Sequence, residues 1–311
     1  MGTGGAIPLL SWRRVTSSYR DRIQHSHHTL AIIGDMQRTM GYQRLLGRER
    51  DNDAQRRALL RDIEQRDVGC IVLAGDLVTF GDSARDWAYF DDVMAGVRGR
   101  DVPTLPVLGN HDYFVFRRCA LPHLHKRFPR LASATWYVER LGPLALVIID
   151  SNRGPLGRAL WESQRAWLAE QVATLDAAPD VRGVLFFGHH PPFTNSWEVG
   201  PHAPTRRDLL PIFHDTHKSL AYVSGHCHAY ERFQDRGKTF LVTGGGGGPR
   251  QPLRRGMFAR SVDAYPGGVI RPFHYLSLEV TDRGIDVEVR GLDKGECGLR
   301  TIERFGLPWT V

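Results

Sequence analysis

Six apolar runs in this chain end on residues whose side chains can bind metal or move a proton. Thr29–Ile33 runs into Gly34-Asp35, Cys70–Ala74 into Gly75-Asp76, and Pro103–Leu108 into Gly109-Asn110-His111-Asp112. Leu144–Ile149 ends at Asp150-Ser151-Asn152, Val184–Phe187 at Gly188-His189-His190, and Leu220–Val223 at Ser224-Gly225-His226. One aspartate after a strand is ordinarily a turn or cap residue, and one histidine is ordinarily structural. A whole set of runs closed by carboxylate, amide or imidazole is poorly explained by caps. Oxygen and imidazole donors without thiolates suit Mn, Fe or Zn rather than a structural zinc–cysteine site. His226-Cys227-His228 places two imidazoles two residues apart, able to face one site if the chain turns there. Cys227 between them points away in an extended segment and is given no ligand role.

The elements that must position these residues are legible in outline. The runs are β-rich and do not alternate, as expected of strands covered on both faces. Helical spacing separates several of them: 52–66 places Ala58, Leu59 and Ile63 on one side, 85–97 does the same with Trp87, Phe90 and Val93, and 160–175 with Trp161, Leu168 and Val172. Residues 207–217 form a shorter candidate. Strand–helix alternation predicts a sheet with parallel strands and flanking helices, whose ligands gather beyond the strands' carboxyl ends. The last third reads as strands 239–243, 273–281 and 285–292, with Asp282-Arg283-Gly284 as a hairpin signal. The expected organisation is a tail, 1–28, and a single domain, 29–311, with two sheets back to back and an irregular Gly-, Pro- and Arg-rich loop at 244–271.

Composition narrows the function classes. The 311 residues are 41% hydrophobic and 24% charged, which is globular usage, and no apolar run is long enough to span a bilayer. Lys and Arg exceed Asp and Glu by 41 to 34, a net charge of +7 that favours anionic partners. The basic residues are scattered in pairs, so no dedicated nucleic-acid arm is expected. The four cysteines form no CxxC or secreted framework, and the N-terminus lacks the order of a signal peptide, so a reducing cytoplasm is the expected compartment.

Gly34-Asp35, Gly75-Asp76, Gly109-Asn110-His111-Asp112, Gly188-His189-His190-Pro191 and Gly225-His226-Cys227-His228 occur in the order found in the calcineurin-like metallophosphoesterase superfamily. The stretch 225–232, GHCHAYER, resembles purple acid phosphatases in particular. The resemblance runs from about Asp35 to Gly244. It implies an α/β fold, a four-layer αββα sandwich of two mixed β-sheets flanked by helices, with two transition-metal ions per chain. Asp35 and His228 would bind the first, Asp76 would bridge both, and Asn110, His189 and His226 would bind the second. His189 is chosen over His190 because the family pattern is His-x-Pro and Pro191 sets the register. His111 would sit over the scissile phosphate and Asp112 would orient it.

Two departures stand out. The usual first motif is Asp-x-His, but the third position here is Gln37, and the position where purple acid phosphatases carry a tyrosinate is Thr79. Gln37 is taken as a weak amide ligand or as a residue that orients a bound water, with a helix or loop residue outside the site as the alternative. The implied activity is hydrolysis of a small phosphomonoester by in-line attack of a metal-bridging hydroxide, with His111 assisting the leaving group. A phosphodiesterase acting on cyclic nucleotides, nucleic acid or phospholipid headgroups is the alternative, and a non-catalytic scaffold of the same fold is the third reading. His202 and Arg153 are candidate substrate contacts. The glycine run 244–248 lacks the Lys-Ser/Thr of a phosphate loop and is read as close backbone packing near the site.

Overall fold

The computed structural model describes residues 29–41, 52–100, 102–296 and 298–310. The tail 1–28, with His25, His27 and His28, and Cys297 lie outside the described residues.

Two six-stranded sheets carry the fold. The first has the order β12-β11-β10-β1-β2-β3, formed by β1 (Thr29–Ile33), β2 (Cys70–Ala74), β3 (Thr104–Val107), β10 (Phe273–Thr281), β11 (Gly284–Leu292) and β12 (Arg300–Pro308). The second has the order β4-β5-β6-β7-β9-β8, formed by β4 (Tyr137–Leu141), β5 (Leu144–Ile148), β6 (Gly183–Phe187), β7 (Ser219–Ser224), β8 (Tyr230–Asp235) and β9 (Lys238–Thr243). β1, β2 and β3 pair in parallel, as do β5, β6, β7 and β9, while antiparallel strands occupy the remaining positions. Both sheets are therefore mixed, as expected.

Side-chain alternation shows why the runs read as continuous. Leu144, Leu146 and Ile148 of β5 join a core that also holds β1, β2 and β10, so they lie between the sheets. Ala145, Val147 and Ile149 point the other way, into a second core with Trp161, Leu168 and Val172 of α5 (Arg153–Ala177) and Phe213 of α6 (Leu210–Asp215). On the far side of the first sheet, Leu59, Leu60 and Ile63 of α1 (Asp53–Glu64) and Trp87 and Phe90 of α2 (Ala84–Val93) join the first core. The result is helices, sheet, sheet, helices. Burial of both faces removes the polar alternation that a half-exposed strand would show.

Several boundaries differ from expectation. The helix read over 85–97 divides at Met94 into α2 and the short α3 (Ala95–Gly99). The helix read over 160–175 begins earlier, at Arg153, with a kink at Gly157, where φ is 71°. The helix read over 207–217 comprises a wide turn, Thr205–Leu209, followed by α6. Residues 114–133 contain α4 (Arg117–Arg127), for which no helix was expected; its buried residues are Ala120 and Leu124, and Pro122 lies inside it, so its periodic signal is weak. β8 begins within the GHCHAYER stretch, where the motif masks the strand pattern, and β12 is an edge strand rich in exposed polar residues. The 282–284 hairpin forms as read, with Thr281 opposite Gly284.

Candidate metal centre

The parallel strands of both sheets deliver their carboxyl ends to one place. Asp35 and Asp76 follow β1 and β2, Asn110 and His111 follow β3, and His189 and His226 follow β6 and β7. Two donor groups form there, Asp35 with Asp76 and His228, and Asp76 with His189 and His226; within each, the potential ligand atoms all lie within 4.8 Å of one another. Asp76 is common to both.

The backbone is strained at this cluster. Among the described residues, four non-glycine residues have positive φ, and three of them are Asp35 (59°), Asp76 (53°) and His226 (69°). Such conformations cost free energy and cluster at functional sites. Close approach also demands glycine. A Cβ on Gly75, itself at φ +93°, would sit 2.2 Å from Nδ1 of His189, and one on Gly109 would sit 2.1 Å from Oδ1 of Asp76.

Hydrogen bonds aim the donors. Nδ1 of His189 lies 3.0 Å from the Ala74 carbonyl and Nδ1 of His228 lies 2.7 Å from the Pro249 carbonyl. A carbonyl can only accept, so both Nδ1 atoms carry hydrogen, and each Nε2 offers its lone pair to the cluster once a cation displaces the proton there, the usual arrangement of a ligating histidine. Nε2 of His189 stands 3.3 Å from Asp76, and Nε2 of His228 stands 3.4 Å from Asp35. The Asp35 carboxylate is held by the backbone N–H of His226 at 3.0 Å. Burial alone would raise the pKa of Asp76, but the neighbouring His189, His111 and His226 outweigh it and hold the carboxyl far below its ordinary range. Burial lowers His189, and the charge of Asp76 overrides this to push it up to about 10.

Buried atoms without partners mark where a cation fits. Oδ1 of Asn110, Nε2 of His189 and Oε1 of Gln37 are buried and lack hydrogen-bond partners. The Gln37 amide also reaches Oδ2 of Asp76 at 3.2 Å and Nε2 of His228 at 2.9 Å, so it borders the first donor group. Thr79, in the place of the tyrosinate, spends its hydroxyl on the backbone N–H and carbonyl of Arg38, at 2.9 and 3.1 Å.

His111 and Asp112 divide their labour differently from expectation. The His111 backbone N–H donates to Oδ1 of Asp76 at 2.9 Å, and its ring Nδ1 lies 2.8 Å from the Thr79 carbonyl. Asp112 instead accepts three backbone N–H groups, from Asp76 (3.1 Å), Gly109 (2.8 Å) and Leu77 (2.9 Å). Orientation of His111 thus falls to Thr79, and Asp112 clasps the β2 and β3 loops together. All three of its donors are backbone N–H groups, and the His111 ring is not among them.

Of the two candidate substrate contacts, His202 stacks on His190 with ring centres 4.5 Å apart, and His190 lies 4.6 Å from His226, so His202 borders the cluster. Arg153 opens α5, and among the described residues no hydrogen bond or ion pair ties its guanidinium to the cluster. Cys227 turns into the second core, away from the ligands, as read. The glycine run wraps the first motif through Gly246 N–H to Gly34 O and Gly248 N–H to Asp35 O, both 2.8 Å.

Three further residues at the site were given no role there from the sequence. Arg56, fully buried on α1, donates to the carbonyls of Gln37 (3.0 Å) and Gly247 (2.9 Å), and Asn52 donates to Gly247 O (3.2 Å). Ser151 meets Nδ1 of His190 at 2.8 Å. Ser151 belongs to the set that closes the 144–149 run, a signal that could have pointed to it, whereas Arg56 stands outside any motif; only the unusual cost of burying an arginine distinguishes it, and that is invisible before folding.

Comparison with known proteins agrees with this geometry. The family model described as calcineurin-like phosphoesterase matches residues 28–230. The chain belongs to that family. Tartrate-resistant acid phosphatase type 5 of Sus scrofa is 30% identical over 213 residues, covering 60% of this chain and 57% of that protein. A probable cyclic nucleotide phosphodiesterase of Rhodopseudomonas palustris is 29% identical over 134 residues, covering 42% of this chain and 45% of that protein. The chain thus spans about half the length of these curated relatives. The purple acid phosphatase of yellow lupin seeds superposes with a TM-score of 0.68 at 17% identity, over 92% of this chain and 54% of that one, which speaks to the fold.

Proposed function

We propose that this member of the calcineurin-like phosphoesterase family is a two-metal phosphomonoesterase. The observation that carries the reading is Asp76, shared by two donor groups that otherwise consist of different residues. Asp35, Asp76 and His228, with Gln37 alongside, would hold one ion; Asp76, Asn110, His189 and His226 would hold the other. Carboxylate, amide and imidazole donors fit Mn, Fe or Zn. Such a pair of ions supplies an acidified water near neutral pH and neutralises charge that builds on phosphoryl oxygens.

The chain's own residues supply the rest. His111, its Nδ1–H given to the Thr79 carbonyl, would act as the imidazolium, whose Nε2–H donates to the phosphoryl group and passes its proton to the departing alkoxide, leaving the neutral ring. His202, at the edge of the cluster, contacts the leaving group. With Thr79 in place of a tyrosinate the protein should be colourless. The sequence reading of 29–311 as one domain, working in the cytoplasm, belongs to the same proposal; free buried thiols at Cys70 and Cys227 suit a reducing compartment. Among the described residues no helix is long and apolar enough to cross a membrane.

The test is turnover of p-nitrophenyl phosphate against bis-p-nitrophenyl phosphate after loading with each metal, alongside metal content by mass spectrometry. Faster monoester turnover with two bound ions per chain is expected. Preference for the diester would favour the phosphodiesterase reading, for which the Rhodopseudomonas palustris relative speaks, and fewer than one bound ion would favour a scaffold.

A further inference from the structure

The exposed apolar surface is not scattered. Among the described residues, ten large apolar side chains are exposed, and all but Leu160 lie in three segments: 114–116, Trp197, and 257–270. These segments belong to the connections that leave the carboxyl ends of β3, β6 and β9, the end of the sheets at which the donor cluster forms. Single exposed apolar residues need no explanation, but concentration on one end of a molecule marks an interaction surface.

The most protruding part is an ordered tip. Met257 is 89% exposed, Phe258 60% and Val262 89%. The loop beneath them is pinned. Oδ1 of buried Asn195 accepts the backbone N–H groups of Arg260 (2.7 Å) and Ser261 (3.1 Å), its Nδ2 donates to Ser261 O at 2.9 Å, and its carbonyl accepts Arg254 N–H at 2.7 Å. Arg260 bonds the Ser196 carbonyl at 2.8 Å. The tip is held out in water by structure beneath it, at a hydrophobic cost that only a partner would offset.

The same segments concentrate positive charge. Phe114–Phe116 runs directly into Arg117-Arg118, and Met257-Phe258 follows Arg254-Arg255. Residues 114–118, 193–208 and 249–271 together hold nine arginines; Arg207, Arg250 and Arg271 pair with Asp208, Asp293 and Asp263, and six others remain beside Glu198, in a chain whose net charge is +7. Arg254 lies over the Trp197 ring at 3.9 Å, and Trp197 and Phe258 have ring centres 6.2 Å apart, so the aromatic and cationic groups are interleaved.

We propose that this end of the molecule docks on an anionic lipid surface, with Met257 and Phe258 entering the headgroup–acyl boundary and the arginines meeting the headgroups. Aliphatic Met257, Val262 and Val115 beside the aromatics fit an interface better than a nucleic acid, since they offer no ring for a base to stack on. Projecting tips, rather than a groove, fit a deformable bilayer better than a protein helix. Clustered arginines supply the charge complement. The proposal stands apart from the phosphoesterase reading and is tested without turnover.

The experiment is co-sedimentation of the full chain with vesicles of phosphatidylcholine alone and of phosphatidylcholine mixed with phosphatidylserine. Binding to the mixed vesicles at least about tenfold stronger than to the neutral ones is expected, falling in high salt. Met257→Ser/Phe258→Ser should weaken it by about tenfold or more, and Arg254→Gln/Arg255→Gln should remove most of the preference for the anionic vesicles; both pairs lie on a loop surface, and an unchanged Tm confirms that they fold. No sedimentation with either vesicle overturns the proposal, as does sedimentation indifferent to the tip substitutions. Competition by a single-stranded oligonucleotide that depends on Phe258 but leaves vesicles unbound overturns it in favour of nucleic acid.

Discussion

The carboxylate of Asp112 receives the backbone N–H of Asp76 at 3.1 Å while its other oxygen receives that of Leu77 at 2.9 Å. The residue that both donor groups share is therefore held by its neighbour in the chain's next loop. Burial and the charge of Asp76 push the Asp112 carboxyl up, against the pull of the Gly109 and Leu77 N–H groups. Asp112→Asn places an amide N–H against a backbone N–H. We expect a loss of about 1–3 kcal/mol in stability, read as a lower Tm, with fewer bound ions and no specific change in the pH profile of turnover.

Gln37 borders the first donor group through an amide, where the family pattern has an imidazole. Gln37→His should hold the first ion roughly 10-fold more tightly or better, measured as metal retained after dialysis against a chelator. Equal retention in Gln37→His and Gln37→Ala would place the amide outside the coordination shell.

His111 and Asp76 should separate chemistry from metal binding. His111→Ala is expected to lower turnover roughly 10²–10⁴-fold with both ions retained, most strongly for a poor leaving group. Asp76→Ala should lose turnover and ions together. Normal turnover of His111→Ala on an alkyl phosphate would remove it from the mechanism.

Glu231 is buried, accepts Thr194 Oγ1 at 2.6 Å and Asn195 N–H at 2.8 Å, and so supports the base of the exposed loop. Burial pushes its carboxyl up to about 7 from an ordinary value of 4.5. Between those values the folded protein binds more protons than the unfolded chain, so this group's contribution to stability falls as pH rises through that window. Relative to Glu231→Gln, the wild type should lose about 3 kcal/mol of stability between pH 4.5 and pH above 7, measured by urea unfolding across the series. A pH-independent difference would show the carboxyl to be unshifted.

Arg56 joins α1 to both the Gln37 carbonyl and the glycine run. Arg56→Met, which keeps the stem and drops the guanidinium, should leave two buried carbonyls without this donor and cost about 2–4 kcal/mol. Arg56→Lys should restore less than half, because one ammonium cannot reproduce the planar fork. The readout is Tm together with metal content.

The residues of the cluster stood out because most of them close apolar runs that read as buried strands, and strands of one sheet end together. Asp35, Asp76, His189, His226 and His228 announced themselves by residue type at such ends, and two covered sheets followed from runs without alternation. What needed the folded chain was partnership over long separations. That Asp112 serves backbone N–H groups rather than His111, that Thr79 orients that ring, and that Arg56 reaches a glycine run 191 residues away are outcomes of which atoms meet. Helix α4 and strands β8 and β12 escaped because their local patterns are weak and tertiary packing selects them. Residue type and periodicity determine which side chains want burial or a cation. Only close packing in three dimensions decides which lone pair faces which hydrogen, because that depends on distances that one-dimensional spacing does not contain.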